Sequence, residues 1–253
     1  MCKECGCAEQ EHDAGHYHNG VFHRHAHGVE LHQHDNSGNR TVSIEKKILS
    51  RNDEIADRNR TWLAEHHAIA INIISSPGSG KTFLLERTLE RLNGHIQCAV
   101  ITGDQQTDND ARRLAGKGAQ VRQIETFSAC HLDAERISHL LPEIVTAGVK
   151  LLFIENVGNL VCPAAFDLGE NFKIALLSVT EGEDKPIKYP TLFSMAPVTV
   201  LTKTDLIPHL DWNLEKCRGY LRQINPDAKI LELSARTGQG MDAWIGYLEK
   251  LTK

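Results

Sequence analysis

Between the run Ile71-Asn72-Ile73-Ile74 and the helical pattern opened by Phe83-Leu84-Leu85 lies Ser75-Ser76-Pro77-Gly78-Ser79-Gly80-Lys81-Thr82. A strand, a glycine-rich turn and a helix start in this order form a phosphate cradle. Backbone N–H groups of Gly78, Ser79 and Gly80 point inward, and the positive end of the helix dipole adds to them. Lys81 is placed to reach the terminal phosphates, and the Thr82 hydroxyl is placed to bind Mg²⁺. Ser75 stands where the pattern usually begins with glycine. The predicted ligand is a nucleoside triphosphate.

Other stretches supply the rest of a phosphoryl-transfer site. Thr102-Gly103-Asp104 ends an apolar run, and Asp104 is placed to contact Mg²⁺ directly or through water, or to orient the attacking water. Glu155 ends the run Leu151–Glu155 and suits a water-mediated hold on the same ion, with Glu in place of the more usual Asp. Gly158 follows, where a backbone N–H could sense the γ-phosphate. The catalytic candidates are Lys81, Asp104 and Glu155; the Mg²⁺ candidates are Thr82, Asp104 and Glu155. Further on, Thr202-Lys203-Thr204-Asp205 resembles the guanine-reading Asn-Lys-x-Asp motif, with Thr202 replacing Asn. One carboxylate, Asp205, can accept two N–H bonds from guanine, whereas adenine presents an acceptor at one of those positions. The Lys203 stem can pack on the base, and Ser234-Ala235-Arg236 resembles the second base-contacting loop. GTP is expected over ATP.

Two groups of soft donors stand apart. Cys2, Cys5 and Cys7 fall within six residues, and removal of Met1 would add the Cys2 amine as a fourth donor. Three thiolates and an amine suit Ni²⁺ or Zn²⁺, a square-planar arrangement favouring Ni²⁺. His12, His16, His18, His23, His25, His27, His32 and His34 follow, in a segment with few large apolar residues. Such a tract cannot bury enough surface to fold alone and reads as a metal reservoir whose affinity falls as its imidazoles protonate. Cys130-His131 and Cys162 lie after two different predicted strands; if the loops converge, they make a Zn²⁺ or Ni²⁺ site with a fourth position open. Buried structural cysteines are the alternative, and Cys98 and Cys217 are assigned to the core. Because Cys162 is four residues after Gly158, movement of that loop with the γ-phosphate would reshape the metal site.

The elements that must position these residues are legible as alternating patterns. Apolar strands are expected at the run before the glycine-rich turn and at Cys98–Thr102, Val121–Glu125, Leu151–Glu155, Ile174–Val179, Val198–Leu201 and Lys229–Leu233, with helical segments between most of them. Near-continuous apolar strands separated by helices imply an α/β fold, a mostly parallel sheet covered by helices on both faces, with active residues at the carboxyl ends of the strands. Residues 1–40 read as a disordered Cys/His-rich tail, 41–68 as a helical lead-in and 69–253 as the nucleotide domain. In the lead-in, predicted as a helix from Asn39 to Glu65, the stripe Ile44, Ile48, Ile55, Trp62 and Leu63 is expected to pack on that domain.

Composition restricts the function. The chain of 253 residues has a net charge of −5, against general binding to nucleic acid or to an anionic membrane surface. No apolar run approaches the roughly 20 residues of a membrane span, and no signal peptide is visible, so a cytoplasmic location is expected. Seven cysteines at this spacing read as metal ligation rather than a disulfide framework.

Taken together, the amino-terminal CxxCGC, the His-rich tract, SSPGSGKT, the Cys130-His131 pair, ENVGNLVCP and SVTEGEDKPIKYP at Ser178–Pro190 resemble the HypB family of nickel-incorporation GTPases. The resemblance covers nearly the whole chain. It implies a P-loop GTPase of the SIMIBI class that hydrolyses GTP to GDP and phosphate, nucleotide-linked homodimerisation, and a metal site near the dimer interface at Cys130, His131 and Cys162. It also implies partnership with a HypA-type metallochaperone and delivery of nickel to the NiFe-hydrogenase large subunit. With no evident arginine finger, turnover by the chain alone is expected to be slow. The alternatives are a urease-type nickel-insertion GTPase, whose metal motif is Cys-Pro-His, and a nickel storage or buffering protein.

Overall fold

The computed structural model describes residues 16–18, 21–23, 37–104, 109–126 and 130–253, with side chains left out at 16–18, 21–23, 37–46 and Asp104. Two units are distinguished, Met1–Leu49 and Ser50–Lys253. In the first, β1 (His16–His18) and β2 (Val21–His23) pair antiparallel, His16 opposite His23. A two-stranded hairpin of this size is marginal by itself. Cys2, Cys5, Cys7, His12, His25, His27, His32 and His34 lie outside the described residues.

A long helix α1 (Ser37–Glu65) leads into the second unit. There follow β3 (Ile69–Ser75), α2 (Lys81–Leu92), β4 (Cys98–Asp104), α3 (Asn109–Leu114), β5 (Ala119–Glu125), α4 (Ala134–Ile144), β6 (Leu151–Glu155), α5 (Cys162–Ala165), β7 (Phe172–Ser178), α6 (Lys185–Lys188), α7 (Pro190–Met195), β8 (Val198–Thr202), a 3₁₀ turn at Thr204–His209, α8 (Leu214–Ile224), β9 (Lys229–Glu232) and α9 (Met241–Leu251). The seven strands β3 to β9 form one parallel sheet in the order β5-β4-β6-β3-β7-β8-β9. All seven predicted strands are present, with ends moved by one or two residues.

Side chains alternate between the two faces of each strand. On one face Ile71, Ile73, Val100, Phe153, Ile174, Leu176 and Val200 meet Leu84, Leu85, Leu89 and Leu92 of α2 and Trp244 and Leu248 of α9. On the other, Ala70, Ala99, Ile101, Leu152 and Ile154 meet Leu63 of α1 and Ile137, Leu141 and Ile144 of α4. Ala175, Leu177 and Leu201 continue that face under α7 and α8, where Cys217 is buried. Cys98 is buried as well, and burial pushes both thiols up to about 12. Neither exchanges its proton readily near neutrality, in keeping with their assignment to the core.

The α1 stripe differs from its expected form. Ile55 and Leu63 are buried and Trp62 is half-buried, but Ile48 is 52% exposed. The buried face instead runs through Asn52, Ile55, Ala56, Asn59 and Leu63, at helical spacing. Two asparagines sit on it because irregular backbone beside the helix must be satisfied. Asn59 donates to the carbonyls of Ala134 (2.8 Å) and Leu168 (3.0 Å). Asn52 donates to the carbonyl of Asp167 (2.7 Å) and accepts from the Ala134 N–H (2.9 Å). Arg60 closes a bidentate pair with Asp167, at 2.9 and 2.6 Å. The second half of α1 therefore fixes the start of α4 and the loop before β7.

Asn59→Ala leaves the carbonyls of Ala134 and Leu168 without their donor. The expected loss of stability is about 1–3 kcal/mol, read as a lower urea midpoint with unchanged slope. An unchanged midpoint would show that these bonds do not hold α1 in place.

Candidate functional site: a phosphate cradle beside a thiol–imidazole cluster

The strand order explains how residues far apart in sequence meet. The chain returns from β5 at the edge to insert β6 between β4 and β3, pairing Glu155 with Ile73 on one side and Thr102 on the other. The carboxyl end of β6 thus lies beside the glycine-rich turn that leaves β3. Gly78 and Gly80 take φ of 72° and 96°, a left-handed region that other residues enter at a cost. This backbone turns the chain into α2, whose first residues are Lys81 and Thr82.

Thr82 Oγ1 donates to Glu155 Oε1 at 2.7 Å, and both side chains are buried. Glu155 Oε2 is buried with no hydrogen-bond partner among the described residues. Burial pushes the Glu155 carboxyl up to about 7, opposed by the Lys81 charge and by the Thr82 hydrogen bond. A hydroxyl and a half-satisfied carboxyl at the foot of a phosphate cradle are the donor set that a hard divalent cation takes, so these residues fit Mg²⁺.

Ser75 does the work of holding Lys81 in place: its Oγ accepts from Lys81 Nζ at 2.9 Å. A cleft of about 470 Å³ opens over the turn, lined by Gly78 to Phe83, Glu155 and Gly158, and also by Asp110 and Arg113. A side chain at position 158 would stand 3.0 Å from the Pro77 backbone, so the loop after β6 lies directly on the glycine-rich turn. Asp104 ends β4 at the same end of the sheet. Arg113 was not picked out from sequence. Its guanidinium rests on Glu86 at 2.8 Å and over the Phe83 ring at 5.7 Å.

A second hollow of about 240 Å³ adjoins the first, lined by Ser79, Gly80, Phe83, Thr202, Lys203, Asp205, Ser234, Ala235 and Arg236. It joins the turn to both base-loop candidates. Lys203, at φ 60°, donates to the Gly78 carbonyl at 2.6 Å, and Thr202 Oγ1 donates to the Ser79 carbonyl at 2.7 Å. Thr202 therefore ties the loop to the glycine-rich turn despite replacing Asn. Ser234 N–H donates to the Gln239 carbonyl at 2.9 Å, shaping the second loop. Phe83 lines both hollows; its place directly after Thr82 was the only signal available in sequence.

The ligand atoms of Cys130, His131 and Cys162 lie within 4.8 Å of one another. Cys130 Sγ is 3.6 Å from His131 Nδ1, and the His131 ring stacks on Phe166 with centroids 3.8 Å apart. Burial pushes His131 below its ordinary value, with Arg136 adding to the effect and Asp133 opposing it. The ring is neutral near pH 7, the form that binds metal. Two sulfurs and one imidazole suit a borderline or soft ion, and three donors leave a position open.

A parallel sheet with a glycine-rich βα turn, a buried carboxyl against the first-turn threonine and two base-loop candidates define a P-loop nucleoside triphosphatase. The CobW/HypB/UreG nucleotide-binding domain matches residues 69–232. The chain is 51% identical over 214 residues to the hydrogenase maturation factor HypB of Azotobacter chroococcum, a match covering 85% of this chain and 70% of that one. HypB from Archaeoglobus fulgidus superposes with a TM-score of 0.77 at 40% identity, over 81% of this chain and all of that one. HypB from Helicobacter pylori, solved in complex with nickel, gives 0.75 at 34% identity over 80% of this chain and 95% of that one. The chain belongs to the HypB family.

The raised Glu155 carboxyl has a consequence for stability. The folded protein keeps this proton up to about pH 7, whereas the unfolded chain releases it near 4.5. Between those values the native state binds more protons, so this group's contribution falls as pH rises and is fully unfavourable above about 7. Nucleotide-free Glu155→Gln should melt above the wild type at pH 8, with the gap closing towards pH 5. A constant gap would show that Glu155 ionises normally.

Proposed function

We propose that the chain is a GTP-hydrolysing nickel metallochaperone that delivers nickel during NiFe-hydrogenase maturation, its metal affinity set by the bound nucleotide. The observation that carries this reading is the adjacency of two sites on one loop: Glu155 and Gly158 line the phosphate cleft, and Cys162, four residues on, belongs to the thiol–imidazole cluster. GTP lies along Gly78–Thr82, with guanine read by Asp205, flanked by Lys203 and by Ser234, Ala235 and Arg236. Lys81 neutralises the terminal phosphates, and Asp104 or Glu155 orients the water. Mg²⁺, held by Thr82 with Glu155 and Asp104 directly or through water, would neutralise charge on the β- and γ-phosphates.

Phosphoryl transfer of this kind rests on positioning and charge, and the sequence offers no evident arginine finger. Turnover by the chain alone is slow on this reading. Closure of a GTP-bound homodimer repositions Cys130, His131 and Cys162, and hydrolysis reverses it. Nickel is the cargo; Zn²⁺ competes for the same donors. Cys2, Cys5, Cys7 and the eight tail histidines act as a reservoir. A HypA-type metallochaperone and the hydrogenase large subunit are the partners. The work is assigned to the cytoplasm, with neither nucleic acid nor a membrane as partner; no described helix is long and apolar enough to cross a membrane.

The support against a urease-type reading lies in relatives at 47–51% identity that are named hydrogenase maturation factor HypB, and in a Cys-His pair without an intervening proline. Asp205→Ala should weaken GTP binding about tenfold or more, the worth of hydrogen bonds to a charged group, and leave ATP binding unchanged; equal losses for both would remove the guanine assignment. Nickel affinity, measured by equilibrium dialysis with GDP and with a nonhydrolysable GTP analogue, should differ about 5-fold or more, and the difference should vanish in Cys162→Ala. Equal affinities in the wild type would overturn nucleotide-gated binding.

A further inference from the structure

Proximity in sequence ties only Cys162 to the phosphate cleft. Cys130 and His131 come from a different loop, after β5, and need a physical link of their own. The buried side chain of Asn156, directly after Glu155, supplies one. Its Oδ1 accepts from the Leu132 N–H at 3.3 Å and from the Val157 N–H at 3.0 Å. Leu132 is fully buried next to His131 and packs against Gly103, where an added Cβ would stand 2.9 Å from the leucine side chain. The backbone that carries His131 is thus pressed between the end of β4, one residue before Asp104, and the residue after Glu155.

The other half of the asparagine leads to the second metal arm. Asn156 Nδ2 donates to Asn72 Oδ1 at 3.2 Å, and Asn72 Nδ2 donates to Glu170 Oε1 at 3.0 Å. Glu170 Oε1 lies 3.8 Å from Lys173 Nζ, which donates to the Ala164 carbonyl at 2.7 Å, inside the short helix that Cys162 begins. Asn72, Glu170, Lys173 and Asn156 are all buried. A buried chain of this kind has few arrangements that satisfy every member, so displacing one member displaces the next. Each buried group left unpaired carries a penalty.

We infer that Asn156 is the relay between the nucleotide and the metal, holding the Cys130–His131 loop through Leu132 and the Cys162 helix through Asn72, Glu170 and Lys173. It is a positioning residue, acting through Leu132 on one side and Asn72 on the other. The inference rests on the nucleotide gating proposed above. When the γ-phosphate draws the Glu155–Gly158 loop, Asn156 moves with its backbone, and both metal arms follow. A network with two satisfied arrangements is biased from both ends, so nickel must act on nucleotide affinity by the same factor.

The test uses the full chain with Cys2, Cys5 and Cys7 replaced by Ser, so that thiolate-to-nickel absorption reports on Cys130 and Cys162. Ni²⁺ is titrated with GDP and with a nonhydrolysable GTP analogue, and the readout is the ratio of the two affinities. A merely structural loss weakens both states alike and leaves the ratio standing. The parent is expected to show a ratio of about 5 or more, and Asn156→Ala a ratio under about 2, with the reciprocal effect of nickel on GTP-analogue affinity lost to the same extent. A parent ratio retained in Asn156→Ala overturns the relay and leaves gating intact. A parent ratio of one overturns the gating itself. Should Asn156→Ala fail to fold, Asn72→Ala, which cuts only the arm to Cys162, is read by the same ratio: a clear fall supports the relay and an unchanged ratio overturns it.

Discussion

A carboxyl held in the dark beside a phosphate cradle sets the terms for the rest of the fold. Glu155 is 3% exposed, and among the described residues one of its oxygens is bonded, to Thr82, and the other is not. Burying such a group is unfavourable unless a cation or donors compensate. The topology creates the situation by threading β6 between β4 and β3, so that one strand end faces the glycine-rich turn and the metal loops flank it. The phosphate turn, the base loops and the thiol–imidazole cluster all leave the carboxyl end of one parallel sheet, where that order converges them.

Much of this could be read from the sequence because apolar strands buried on both faces leave long apolar runs. Leu151–Glu155 and Val198–Thr202 were found nearly to the residue for that reason. The phosphate turn was legible because its glycines are obligatory: Gly78 and Gly80 occupy a left-handed backbone that few residues enter. Cys130 and His131 were legible by chemical type, and their meeting with Cys162 followed from strand order alone. What stayed hidden was polar and buried. Asn52 and Asn59 interrupt a helical stripe, and Asn72 interrupts a strand. In one dimension each looks like a solvent-facing position. Their meaning comes from backbone hundreds of ångströms of contour away: the carbonyls of Ala134, Asp167 and Leu168, and the carboxylate of Glu170. Periodicity reports how much apolar surface an element buries, and says nothing about which irregular backbone it must satisfy. Arg113 gives no signal for a related reason: a charged residue on a helix of six residues belongs to no periodic stripe.

The two motif departures each bring a hydroxyl to the glycine-rich turn. Ser75 stands in place of a glycine and engages the Lys81 ammonium. Thr202 stands in place of an asparagine and still reaches the Ser79 carbonyl. Both supply a hydroxyl to the glycine-rich turn from the strand end where the motif expects its residue. A hydroxyl can donate and accept at once, which lets Ser75 take the lysine's proton donor while keeping its own proton for the Ser76 carbonyl.

The composition of the thiol–imidazole cluster fits the proposed carrier better than a structural centre. Structural zinc is closed by four protein ligands, usually sulfur-rich, and contributes folding energy outright. Among the described residues three donors converge, one short of the four that close a structural zinc site. The sheet and its two apolar faces are complete without the cluster: none of Cys130, His131 or Cys162 belongs to the main core groups. A fold that does not need its metal can release it. Under the relay proposed above, the buried polar chain from Asn156 to Ala164 serves coupling rather than stability: the occupancy of one site would change the geometry of the other.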